Sequence, residues 1–136
     1  MKKIILPGIL VGIVNLILGM AISYLFMLLP QVSADYYNTS IMRPWSDPIM
    51  SLFFIYPFVL GIALAWFWDK SKAIFQGAWA ERGTKFGLAL FVISTIPGML
   101  VSYSSFPLSI LTIISWTVSG LVCAIVAGMI LAKTNK

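Results

Sequence analysis

Hydrophobic positions in this chain fall into four unbroken runs, at residues 4–29, 49–68, 86–103 and 108–132, and none contains an Asp, Glu, Lys or Arg. At about 1.5 Å of rise per helical residue the runs measure roughly 39, 30, 27 and 37 Å, against a bilayer hydrocarbon core of about 30 Å. A soluble helical bundle needs a polar stripe along each helix to face water, and these runs have none. The pattern predicts an all-α membrane protein with a single transmembrane domain over 1–136, folded as a four-helix transmembrane bundle.

Small residues within the runs recur at helical spacing. Gly8, Gly12, Asn15, Gly19 and Ser23 share one face of the first span, and Gly61 with Ala65 gives the second span a narrow face. Ser94, Gly98 and Ser102 follow one another at steps of four in the third span, as do Gly120, Ala124, Gly128 and Ala132 in the fourth. In lipid, faces without bulk let helix backbones approach closely, and van der Waals contact then holds the pair. Gly8, Gly12, Gly19, Gly61, Gly98, Gly120, Ala124 and Gly128 are therefore the expected helix-packing positions. Spacing leaves open whether each face meets another span or a second copy of the chain.

The segments between the runs carry the polar residues. Residues 30–48 form an external loop with Tyr36, Tyr37 and Trp45 at headgroup level, ending in a helix start at Asp47 and Pro48. Residues 69–85 form a basic loop, read either as a short interfacial helix with Phe75 and Trp79 on one side or as a plain hairpin. The turn at 104–107 makes the third and fourth spans antiparallel neighbours. Pro57 and Pro97 each remove a backbone donor inside a span and favour a kink.

Charge adds orientation. The net charge is +5, yet Lys2, Lys3, Lys70, Lys72, Arg82, Lys85, Lys133 and Lys136 all fall at the termini or in the 69–85 loop, and Arg43 alone falls on the other side. Lys and Arg are retained on the cytoplasmic face, which predicts both termini cytoplasmic and accounts for the basic balance without nucleic acid. Met1, Lys2 and Lys3 before an apolar run also describe a secretory signal. The run of roughly 26 residues exceeds the usual signal core of about 7–15, so a retained first span is expected. The expected location is the plasma membrane of a prokaryotic cell.

Composition bounds the chemistry. The chain has no His and one cysteine, Cys123, which removes the usual neutral-pH proton shuttle and any intramolecular thiol pair. No ionisable Asp, Glu, Lys or Arg lies inside a span, and Asp35, Asp47, Asp69 and Glu81 are divided between the two faces. In size and span number the chain resembles small four-span multidrug exporters. Those rely on an acidic residue in the first span, where this chain offers only Asn15, so the resemblance is one of architecture and no residue role follows. No catalytic residue, metal ligand or cofactor is expected.

Two candidate sites remain. Counted along the helices, Asn15, Tyr56, Ser94, Thr95 and Trp116 bring hydrogen-bonding groups from all four spans to the central third of the bilayer. They either bond to one another and to carbonyls freed by the prolines, or line a pocket for a mostly apolar ligand with one or two polar atoms. Arg43 beside Trp45 is either an anion or lipid-headgroup site, or an interfacial anchor paired with Asp47. The expected function is a non-catalytic accessory subunit or a lipid- or small-ligand-binding module; a homo-oligomeric transporter or channel for a small or hydrophobic solute is the alternative. Expected partners are membrane lipids, with a second copy or a larger membrane complex also open.

Overall fold

Four apolar stretches, Lys2–Phe26, Pro48–Ile74, Trp79–Ser105 and Ile110–Thr134, are helical, and each is long and apolar enough to cross a membrane. They come from a computed structural model that describes residues 2–135. The helices are α1 (Lys2–Phe26), α2 (Pro30–Tyr37), α3 (Ser51–Ser71), α4 (Trp79–Leu90), α5 (Ile96–Ser105) and α6 (Ile110–Thr134). Short 3-10 turns at Pro48–Met50 and Lys72–Ile74 begin and extend α3, and a π-helical turn at Phe91–Thr95 joins α4 to α5 as one span.

The bundle consists of two tight pairs, α1 with α3 and α4 with α6, joined mainly through α1 against α6. Glycine decides how tight. A Cβ on Gly61 would run into the Gly8 carbonyl oxygen, and one on Gly8 would lie 2.6 Å from the Ile62 Cα. In the second pair a Cβ on Gly128 would strike the Gly83 carbonyl oxygen, and one on Gly87 would lie 2.6 Å from the Ile125 Cα. Helix association in lipid depends on such close contact, because burying apolar side chains gives no advantage over leaving them in hydrocarbon.

Both pairs close most tightly in the half of the bundle that carries the chain termini. The buried cluster of Val11, Ala65, Trp68, Phe86, Ala127, Leu131 and Ala132 fills that half. Trp68, which closes the second apolar run two residues after Trp66, is fully buried. Its ring meets Phe86 edge-on at 5.1 Å, and the Arg82 guanidinium lies 5.4 Å from its centroid. Its Nε1 donates to the Asn135 carbonyl at 2.7 Å, while the Asn135 amide donates to Lys3 O and to Asp69 Oδ1, both at 3.2 Å. One asparagine thus ties together the ends of α1, α3 and α6.

The connecting segments differ from the sequence expectation in two places. Residues 30–48 are not all loop, because α2 occupies Pro30–Tyr37 with Pro30 in its first turn. The interfacial helix across 69–85 does not form. Gly77 adopts φ +115°, a left-handed conformation that breaks the chain between the end of α3 and the start of α4. Phe75 and Trp79 therefore belong to different elements, and Phe75 turns inward to stack on Trp68 at 6.0 Å. At the helix start after the first connection, Asp47 Oδ1 accepts from Ile49 N at 2.9 Å and Pro48 follows it.

Candidate functional site

Beyond the packed half, the helices part around a cavity of about 600 Å³. The prolines coincide with this parting. Pro57 leaves the Phe53 carbonyl without its helical donor. Ahead of Pro97 the ladder widens into a π turn, and the Ile96 N–H donates to Phe91 O, five residues back. Gly19 and Gly98 sit on the cavity wall rather than in a helix contact, with no atom within 4 Å of where a Cβ would stand. Gly120 makes room for Thr95, whose Cγ2 would lie 2.6 Å from its Cβ.

All five residues of the mid-depth polar layer line this one cavity: Asn15 from α1, Tyr56 from α3, Ser94 and Thr95 from the π turn, and Trp116 from α6. Tyr36 of α2 joins them and accepts a 2.7 Å hydrogen bond from Trp116 Nε1. The other four behave differently. Among the described residues, no hydrogen bond joins the side chains of Asn15, Tyr56, Ser94 and Thr95 to one another, and Asn15 Oδ1 is buried without a partner. Nearby, Cys123 Sγ lies 3.9 Å from the Asn15 carbonyl. The lining includes no Asp, Glu, Lys or Arg, so it can bond polar atoms but offers no counter-charge.

α2 is fastened over the start of α6. Asp35 Oδ2 accepts from Ser109 N at 2.9 Å and from Thr112 Oγ1 at 2.6 Å. Ser109 itself caps α6 through its hydroxyl, which accepts from Thr112 N at 3.3 Å. Desolvation pushes the Asp35 carboxyl upward, but the bonds from Thr112 and Ser109 outweigh it and leave the pKa below its ordinary 3.8. Val32 of the same helix is fully buried.

Arg43 and Trp45 stand apart from the cavity. Arg43 Nη1 donates to Asp47 Oδ2 at 2.7 Å, while Trp45 packs its ring edge-on to Phe53 at 5.5 Å. The Ile49 amide and Arg43 hold the Asp47 carboxyl below its ordinary range. This guanidinium already has a carboxylate partner.

The remaining stripe positions lie at helix contacts: Gly8 and Gly12 against α3, Gly61 against α1, Gly128 against α4, and Ala124 with its carbonyl oxygen 2.5 Å from where a Cβ on Gly87 would stand. Sequence reasoning missed Asp35 as a tie between elements and Cys123 as part of the cavity wall. The only signal for Asp35 was its place directly before paired tyrosines in a segment with a proline start. Among the described residues, no three His, Cys, Asp or Glu side chains are grouped so as to hold a metal ion. Comparison with family models, curated proteins and solved structures finds no match to this chain.

Proposed function

We propose that this protein is a non-catalytic binding module of the plasma membrane, which holds a mostly apolar small molecule with one or two polar atoms between its four helices. The observation that carries this reading is the convergence of Asn15, Tyr56, Ser94 and Thr95 on one cavity without bonds among themselves. Polar groups in a membrane interior ordinarily satisfy one another, since an unpaired one forfeits hydrogen bonding that water would supply. The volume lies in the range of about 300–1,000 Å³ common to small-molecule sites, and an apolar wall with a few polar groups is their usual chemistry.

Binding is favoured over passage by the packed half of the bundle. The glycine contacts at Gly8, Gly61, Gly83 and Gly128, together with buried Trp68 and Phe86, close the way from the cavity toward the terminal end. Lys3, Lys72, Arg82 and Asn135 gather at that end, in keeping with cytoplasmic termini.

The test is equilibrium binding of a neutral apolar fluorophore to protein in phosphatidylcholine nanodiscs. Asn15→Leu and Tyr56→Phe are expected to weaken binding about 5- to 30-fold each, the equivalent of about 1–2 kcal/mol for a lost hydrogen bond. Unchanged binding in both, with lowered thermal stability, would leave the polar layer a packing feature.

A further inference from the structure

We infer that the occupant of this cavity is a neutral single-chain amphiphile, a hydrocarbon chain bearing one hydroxyl or carbonyl group, which enters sideways from the bilayer between α3 and α5. This rests on the cavity being a binding site, as proposed above, and adds the route and the chemical class.

The route follows from which helices touch. α3 packs closely on α1, and α4 on α6, whereas no comparably close backbone packing joins α3 to α5, although both line the cavity. At the terminal end the gap between the two pairs is closed by rings, with Phe67 5.7 Å and Trp68 5.1 Å from Phe86. Farther along, among the described residues, no ring contact bridges α3 and α5. Phe53 and Tyr56 are 44% and 61% exposed while also lining the cavity, which places an opening on the side of the bundle. These residues belong to a membrane-spanning stretch, so the opening faces hydrocarbon. At the far end, Asp35 and Tyr36 fasten α2 to α6 beside the cavity.

The chemical class follows from the lining. A charged group in the cavity would meet no opposite charge, and an unpaired ion in a low-dielectric interior is strongly disfavoured. A molecule without any polar atom would leave the hydroxyls unused. Elsewhere in the same spans, hydroxyls turn back onto their own helix: Ser102 to Gly98 O at 2.9 Å, Thr117 to Ile113 O at 2.7 Å and Ser115 to Thr112 O at 2.7 Å. Among the described residues Ser94 and Thr95 make no such bond, and the Tyr56 hydroxyl and Asn15 amide are equally unengaged. Together they can donate to and accept from a single hydroxyl or carbonyl at mid-depth, with the chain lying against Leu60, Leu64 and Met99.

The experiment is photolabelling of the full chain in phosphatidylcholine vesicles, with insertion sites mapped by mass spectrometry. Three diazirine probes are compared: a sixteen-carbon alcohol, a trimethylammonium of the same chain, and a water-soluble four-carbon alcohol. Gly98→Leu fills open space on the cavity wall and serves as the blocking variant, with Gly19→Leu as a second, and thermal melting establishes that each is folded. The long alcohol is expected to label α3 and α6 residues of the cavity, with labelling about ten-fold lower in the blocking variants, or about 1.4 kcal/mol of lost binding. The ammonium and the short alcohol should show no label that these variants remove. Equal cavity labelling by the short alcohol overturns the sideways route and the chain requirement while leaving a binding cavity. Equal labelling by the ammonium overturns neutrality alone. If no probe gives labelling that either folded blocking variant reduces, the binding reading itself fails.

Discussion

Glycines that look alike in the sequence do opposite things in this bundle. Gly61 and Gly128 each face a backbone carbonyl of the neighbouring helix, whereas Gly19 and Gly98 face open space. A backbone atom cannot rotate away as a side chain can, so a larger residue at the first two positions must push helices apart. Overpacking of this kind costs about 1–3 kcal/mol. Gly61→Val and Gly128→Val are expected to lower the melting temperature of the detergent-solubilised protein, while Gly19→Ala leaves it unchanged or slightly higher. Equal losses at all three positions would contradict the two-zone packing. Trp68 gives a second case at this scale. Its ring is fully buried and its Nε1 serves the Asn135 carbonyl. Trp68→Phe keeps most of the apolar contact but removes that donor, and a buried acceptor left unpaired costs about 1–3 kcal/mol. Exchange of the last α6 amides, measured by mass spectrometry, should rise in this variant while α2 exchange stays as it is.

α2 is the least secure element, being eight residues long and held by a few side chains. Its main tie is the Asp35 carboxylate, whose pKa is lowered in the folded protein by the bonds it accepts from Thr112 and Ser109, against the upward push of desolvation. A depressed carboxyl contributes stability that is present above its ordinary value of about 3.8 and is lost as pH falls through the lower folded value. Hydrogen exchange of α2, corrected for its intrinsic pH dependence, should be flat from neutral pH to about pH 5 and rise below about pH 4. Asp35→Ala should raise α2 exchange at neutral pH and abolish the acid step. A step that persists in this variant would assign it to another carboxyl. The joint between α4 and α5 stays helical by contrast, with the π turn carrying the ladder up to Pro97 through the bond from Ile96 N–H to Phe91 O.

At the scale of the molecule the bundle has a closed half and a parted half. The closed half contains the buried cluster and the glycine contacts, and the parted half contains the cavity. A continuous aqueous path would have to cross Val11, Trp68 and Phe86, all fully buried. Proteoliposomes loaded with carboxyfluorescein or potassium are therefore expected to release neither faster than protein-free vesicles. Release that scales with protein content would favour the transporter reading over the binding one.

Four spans are legible in the chain alone, because a run of about 20 apolar residues without charge has few alternatives to a membrane helix, although the third helical stretch begins at Trp79, inside the segment read as a basic loop. The helix start at Asp47 and Pro48 is equally local, since a cap and a fixed φ act within one turn. The mid-depth layer of Asn15, Tyr56, Ser94, Thr95 and Trp116 can be counted along the helices, but counting gives depth and not direction. Whether those groups bond to one another or surround a space depends on how the helix pairs diverge. That divergence comes from glycines of one helix meeting carbonyls of another. The same limit hid Asp35, whose partners Ser109 and Thr112 lie more than seventy residues away. Local rules decided which segments are helices; only contacts between segments distant in the chain decided which stripes touch, which glycines stay open and where the cavity lies.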